Sequence, residues 1–248
     1  MITFNQYVRA ASPEEAYELN LKKNNVIVGG MLWLKMTDRQ YGTAIDLCDL
    51  GFETIEEDDE YYSIGAMVTL RQLEQHEGLN TLTGGAIRNS VEHIVGVQFR
   101  NCATVGGSIY GRFGFSDVLT LFLALRARVE LVGAGVMELA DFTQTSRQNR
   151  DVLLRILVPK DTQSVVYLSQ RNSSTDFPVL AVAVGKSAQG YVYSVGARPH
   201  YAMPVCSARP LCGEEAAEKF TFGSNLRASA QYRKQICKVL VDRAMSRL

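Results

Sequence analysis

Apolar residues in this chain come in short runs separated by polar or glycine-rich breaks, and the spacing within each run predicts its element. Ser12-Pro13-Glu14-Glu15 reads as a helix start, with Ser as N-cap, Pro at the first helical position and Glu closing a capping box. That helix turns Ala16, Leu19 and Leu21 inward and stops near Asn24-Asn25. Val26-Ile27-Val28 follows as a strand and breaks at Gly29-Gly30; residues 32–36 resume as extended chain, and Ala44-Ile45-Asp46-Leu47 is a further short strand.

A second set of elements opens with a strand over residues 61–65. Thr69-Leu70-Arg71-Gln72 is another capping box, starting a helix that runs to about His76. Residues 84–94 read as helical, with Ile87, Val91, Ile94 and Val95 at helical spacing. A second double-glycine break, Thr104-Val105-Gly106-Gly107-Ser108, comes next. Asp117 then opens Val118-Leu119-Thr120-Leu121-Phe122-Leu123-Ala124-Leu125, apolar on nearly every side and therefore a buried helix. Strands over 129–132 and 153–158 complete this part, the latter ended by Pro159. Beyond it, strands over 165–168, 179–184 and 191–195 come together rather than alternating with helices. Helices over 213–220 and 228–247 follow, which makes the class α+β.

The glycine pairs carry the first hint of chemistry. Glycine permits φ > 0 and close approach of another group, and consecutive amides exposed by such a turn can form an anion-binding concavity. Two such breaks in one chain suit the two phosphates of a dinucleotide; each taken singly is equally a tight turn.

Bulk properties narrow the function further. Over 248 residues, 46% hydrophobic and 21% charged side chains describe an ordinary globular protein with a sizeable core. Equal numbers of basic and acidic residues argue against a field that draws the whole chain to nucleic acid or an anionic membrane. The acidic excess is concentrated in residues 1–100, including Glu56-Glu57-Asp58-Asp59-Glu60, a solvated loop or a partner-docking patch. There is no signal-peptide pattern at the start and no apolar stretch of membrane-spanning length. Five scattered cysteines suit reduced thiols and a cytoplasmic location, and neither they nor the three histidines show metal-ligand spacing.

Neither glycine pair fits Gly-x-Gly-x-x-Gly before a helix, and no Gly-Lys-Ser/Thr exists, so a Rossmann fingerprint and a P-loop are both excluded. A different pattern fits. Val28-Gly29-Gly30, then Arg100-Asn101-Cys102-Ala103-Thr104-Val105-Gly106-Gly107-Ser108, then Asp117 and its apolar helix, resemble the FAD-binding subunits of molybdenum hydroxylases such as xanthine dehydrogenase and carbon monoxide dehydrogenase. Asp176-Phe177-Pro178 and Arg227-Ala228-Ser229-Ala230-Gln231-Tyr232-Arg233 resemble two further signatures of that family, in the same order. The resemblance spans the whole chain. It implies a two-lobed FAD-binding region of the vanillyl-alcohol-oxidase type, lobe 1 over 1–53 and lobe 2 over 54–160, then a C-terminal domain of antiparallel sheet plus helices over 161–248.

It also implies roles. Amides of Ile27, Val28, Gly29, Gly30, Met31, Leu32 and Trp33 would cradle the FAD pyrophosphate. Thr104, Gly106, Gly107 and Ser108 would form the opposite wall, with Ile109 and Tyr110 approaching the isoalloxazine. Asp117 would bond to ribityl or ribose hydroxyls, and Leu153 would pack on the flavin. Read from position alone, Asp117 is also a helix-start carboxylate bonded to backbone amides, and Trp33 is either a cover on the cofactor or packing between the lobes. Met31, Leu32 and Trp33 depart from the polar residues usual after Gly-Gly, and Ser108 replaces Asn. Losing one or two charge-assisted bonds of roughly 1.5–3 kcal/mol each would weaken FAD by about one to three decades.

The implied function is electron transfer within a molybdenum hydroxylase of the xanthine, purine or N-heterocycle dehydrogenase kind. [2Fe-2S] clusters on an iron–sulfur subunit and molybdopterin on another subunit would act with this chain, and NAD+ or another acceptor would take the electrons. A non-catalytic assembly subunit with a degenerate FAD site and a stand-alone flavoprotein oxidase are the alternatives.

Overall fold

Three sheets, none sharing a strand, are laid down in chain order in the computed structural model, which describes residues 1–248. The first is small and parallel. It contains β1 (Thr3–Arg9), β2 (Val26–Val28) and β3 (Gln40–Asp46) in the order β1-β3-β2, with α1 (Pro13–Leu21) between the first two strands and a single 3-10 turn (Leu34–Met36) before the third. Ser12 caps α1 by accepting from the Glu15 amide at 3.1 Å. The helix buries Ala16 but leaves Leu21 exposed, contrary to the inward placement its spacing predicts, because the helix ends there and Lys22 turns away. Residues 34–36 are helical rather than extended.

The second sheet holds β4 (Ile55–Glu57), β5 (Tyr61–Gly65), β6 (Arg128–Leu131), β7 (Gly135–Glu138) and β8 (Leu153–Pro159), antiparallel throughout, in the order β4-β5-β8-β6-β7. Between β5 and β6 lies a run of short helices: α2 (Leu70–Gln75), α3 (Glu77–Leu82), α4 (Ala86–Val91), α5 (Val97–Cys102), α6 (Val105–Tyr110) and α7 (Asp117–Ala124); α8 (Leu139–Gln144) follows β7. The helix predicted over 84–94 is thus only α4. Gly84 and Gly85 sit at φ +57° and +83° ahead of it, and Val95 at φ +51° ends any continuation. Every residue of α7 is buried, as its all-round apolar sequence predicts.

The third sheet is β9 (Thr162–Arg171), β10 (Pro178–Ser187), β11 (Gly190–Gly196) and β12 (Met203–Ser207), an antiparallel meander in the order β12-β11-β10-β9, backed by α9 (Gly213–Ala217) and α10 (Ala230–Met245). One face of this sheet packs on α10, burying Val182, Val184, Val195, Cys237, Leu240 and Val241. Its other face packs on α7, so Val165, Tyr167, Ala181 and Ala183 join Phe122, Leu119 and Ile156 in the largest core of the molecule. The second and third sheets therefore share a core across α7. The mixture of helices with mainly antiparallel sheets is the α+β class that the element order predicts; the parallel first sheet is an addition, because β1 lies on an edge and shows no clear alternation. No helix is long and apolar enough to cross a membrane.

Candidate functional site

The two double-glycine segments meet face to face. A Cβ at Gly30 would overlap the main-chain carbonyl of Cys102, and one at Gly29 would lie 3.0 Å from Thr104 Oγ1. Both glycines have ordinary φ, as do Gly106 and Gly107, so the left-handed backbone expected of these breaks is absent at all four. The first pair is glycine because the second segment presses on it, and a side chain would hold the two apart. The residue that does take φ +57° is Met31, immediately after the pair. A methionine in that region costs of order 1–2 kcal/mol.

The second segment is not a turn. Thr104 is the N-cap of α6, its Oγ1 accepting from the Gly107 amide at 3.1 Å. The Gly106 amide donates to Ala66 O at 2.9 Å and the Ser108 amide to Thr104 O at 3.1 Å. Every amide that could have faced an anion from Gly106, Gly107 or Ser108 is thus already engaged. The first segment is the reverse: the amides of residues 29–33 donate no hydrogen bond within the chain. Five successive N–H groups without a protein partner are left available to an acceptor such as an anionic oxygen.

These amides open into a cavity of about 1040 Å³ between the three sheets. Of the residues singled out in the sequence, Ile27, Val28, Gly29, Gly30, Met31, Leu32, Trp33, Thr104, Gly106, Gly107, Ser108, Tyr110, Asp117 and Leu153 line it. Ile109 does not. It is fully buried in the main core, because on α6 it points away from the cavity that Gly107 and Tyr110 face. At Gly107 an added Cβ would meet only Thr104 Oγ1, so the glycine leaves room on the cavity side. Tyr110 is anchored by its hydroxyl, which donates to Asn149 O at 2.8 Å, and by its ring against Phe142; burial pushes its pKa up.

Asp117 is not a cap. Ser116 caps α7, its Oγ accepting from the Leu119 amide at 3.1 Å. The Asp117 carboxylate instead reaches across to the third sheet. Its Oδ1 accepts from Arg171 at 2.6 Å and from the Tyr167 hydroxyl, with the Asp117 and Arg171 side chains 5% and 7% exposed. Burial pushes the Asp117 carboxyl up against the pull of Arg171. Burial and the Asp117 charge together raise Tyr167 well above its ordinary value. Asp117 Oδ2 accepts no protein hydrogen bond.

Trp33, in the first part of the chain, is packed by aromatic rings from the other two: Phe115 at 5.5 Å, Phe113 and Phe177 at 5.8 Å, and Phe99 at 6.5 Å. All five line one end of the cavity. Trp33 therefore packs between the lobes and at the same time presents part of its ring to the cavity. Sequence reading passed over Phe113, Phe115 and Phe177 as site residues; the signal available was their nearness in sequence to Gly111, Asp117 and the Asp-Phe-Pro segment. It also passed over Arg150, whose guanidinium clamps the first sheet to the second through Asn25 O at 2.6 Å and Asn20 Oδ1 at 2.9 Å. Arg100 is spent on Glu74, donating at 2.8 Å. Arg112, at φ +44°, is spent on carbonyls of the segment after α8, including Thr145 O at 2.7 Å.

The residues present fit FAD. Unpartnered amides suit a pyrophosphate, Asp117 Oδ2 suits a hydroxyl donor, and apolar Leu153 with the aromatic end suits a planar ring system. The volume is that of a large-ligand site. Comparison with known proteins gives the same direction. Residues 2–161 match the family described as the FAD binding domain in molybdopterin dehydrogenase. Quinoline 2-oxidoreductase from Pseudomonas putida 86 contains a chain of similar fold, with a TM-score of 0.84 at 19% identity over 99% of this chain and 96% of that one. Carbon monoxide dehydrogenase from Hydrogenophaga pseudoflava, in a form lacking the Mo-pyranopterin moiety, gives 0.85 at 20% identity over 99% and 97%. Reconstituted CO dehydrogenase from Oligotropha carboxidovorans gives 0.82 at 22% identity over 99% and 97%. No curated protein sequence matches the chain.

Proposed function

Because the chain belongs to the family of FAD binding domains in molybdopterin dehydrogenases, we propose that it is the FAD-binding electron-transfer subunit of a multi-subunit molybdenum hydroxylase. The observation that carries this reading is the run of free amides at residues 29–33, facing the α6 wall across a cavity closed by Asp117 and Leu153. FAD, when bound, supplies the exchange of single electrons and of a hydride. The chain's own residues supply binding and enclosure. Amides of residues 29–33 would hold the pyrophosphate, Gly107 leaves the clearance for it, and Asp117, fixed by Arg171, would take a ribose or ribityl hydroxyl. Leu153, Tyr110 and the aromatic cluster would keep water from the ring system. The replacement of polar residues by Met31, Leu32 and Trp33 leaves these main-chain donors intact.

No residue in the cavity is asked to act on an organic substrate. The [2Fe-2S] clusters belong to an iron–sulfur partner and molybdopterin to a further partner, with an N-heterocycle or purine as the hydroxylated substrate and NAD+ or another oxidant as acceptor. The test is the visible absorption spectrum of the purified chain. Flavin bands at near-stoichiometric occupancy, directly or after incubation with FAD, are expected; a colourless protein that takes up no added FAD refutes the reading. Co-purification with iron–sulfur and molybdopterin-binding chains then separates a subunit from a stand-alone oxidase.

A further inference from the structure

The segment joining β9 to β10 crosses the aromatic end of the cavity with very little main-chain bonding of its own. Within it, only the Asp176 amide finds a main-chain acceptor, Ser173 O at 3.2 Å. Side chains seat it instead. Arg171 donates to Asp176 O at 2.6 Å, and Ser174 Oγ lies 3.2 Å from His93 Nδ1. From the far side, Arg227 donates to Asp176 Oδ2 at 2.5 Å, and its guanidinium lies 5.0 Å from the centre of the Phe177 ring. Asp176 Oδ1 accepts from the Phe177 amide at 2.8 Å. Held this way, Phe177 sits 4.2 Å from Phe115 and 5.8 Å from Trp33, ring centre to ring centre. Thr175, Asp176 and Phe177 all line the cavity; Arg227 does not.

Arg227 is in turn placed from beneath. Arg233 is 1% exposed and donates to Val179 O, Gly223 O, Ala228 O and Asn225 Oδ1 at 2.6–2.9 Å. Asn225 Oδ1 also accepts the Arg227 amide at 2.9 Å. The Arg-Ala-Ser-x-x-Tyr-Arg signature thus contains two arginines with different tasks: the buried one fixes the 223–228 strap, and the half-buried one reaches from it to the cavity's cover.

We propose that residues 172–177 form a movable cover over the aromatic end of the cavity and that Arg227 is the positioning residue that latches it. The consequence for redox function rests on the reading of that cavity as a flavin site; the cover itself does not. The latch is an ion pair whose side chains are 32% and 27% exposed. Pairs of that kind are weak in water, so the cover opens and closes rather than sealing the site.

Trp33 is the chain's one tryptophan and touches the cover directly, so its fluorescence reports the cover without any cofactor. Acrylamide quenching of the apoprotein is expected to rise about twofold in Phe177→Ala, Arg227→Met and Asp176→Asn, as the covered part of the indole is bared. Arg227→Lys keeps the charge and is expected to quench like wild type. In the FAD-loaded chain, release of FAD in the Arg227→Met and Asp176→Asn variants is expected to accelerate roughly three- to tenfold, the scale of losing one part-buried ion pair and its cation–π contact. Wild-type quenching in both Arg227→Met and Asp176→Asn overturns the proposal, as does a lysine variant that behaves like methionine. Raised quenching in a chain that takes up no FAD upholds the cover and removes the flavin reading.

Discussion

A methyl group at Gly30 would overlap the Cys102 carbonyl, whereas one at Gly107 would meet Thr104 Oγ1 and otherwise reach into the cavity. The two substitutions should therefore fail in different ways. Gly30→Ala forces the first sheet off α5 and is expected to cost roughly 1–3 kcal/mol, a Tm loss of about 2–10 °C. Gly107→Val is expected to leave Tm within a few degrees of wild type while weakening FAD by at least about tenfold. Thermal unfolding and FAD titration of the two variants check this; a Gly107→Val protein with undiminished affinity would remove α6 from the binding wall. The same contrast explains what was legible at this scale. Gly-Gly announces that the backbone is special but does not say why, and the reason proved to be a close neighbour 72 residues away in sequence rather than φ. Whether an amide is spent or free is likewise invisible, since it depends on carbonyls such as Ala66 O brought in by the fold.

At the level of elements, the position of Cys102 O depends on α5, and α5 is tied to α2 by a nearly buried ion pair between Arg100 and Glu74, with Arg71 as a second partner at 3.0 Å. Burial works against the Glu74 charge, yet Arg100 and Arg71 hold its carboxyl below the ordinary 4.5. A depressed carboxylate contributes stability that is complete above its unfolded pKa and is lost as pH falls through the folded one. Glu74→Gln is thus expected to cost roughly 2–3 kcal/mol at neutral pH. Denaturant unfolding at stepped pH should show that gap unchanged down to about pH 4.5 and closing below it; a pH-independent gap would show that the charge is not what matters. Of the elements, those with a cap or an all-apolar run were legible: Ser12, Thr69 and the 118–125 segment each announced their helix. Of the edge strands, β2 and β9 were legible from their apolar runs, whereas β1, β4, β7 and β12 were not, because their exposed or half-buried residues impose no clean alternation, as β7 shows.

For the whole molecule, the family match ends at residue 161, but neither the core nor the cavity does. Val165, Tyr167, Ala181 and Ala183 complete the largest core, and Arg171 is the counter-charge to buried Asp117. A fragment ending at residue 161 would leave that apolar face open and a carboxylate stranded, at a cost that exceeds the usual margin of stability. It is expected to show no cooperative unfolding transition; a sharp transition with native near-UV circular dichroism would contradict the shared core. The gathering of strands after residue 160 into one antiparallel sheet was legible, because there strands follow one another rather than alternating with helices. The mutual packing of the three parts was not, since Trp33, Phe115 and Phe177 are distant in sequence and meet only in space. The five free amides of residues 29–33 have one more consequence. A binding surface made of peptide groups is encoded by conformation rather than by side-chain identity. On the proposed reading, Met31, Leu32 and Trp33 forgo side-chain bonds to the phosphates while the main-chain donors of the same segment are kept.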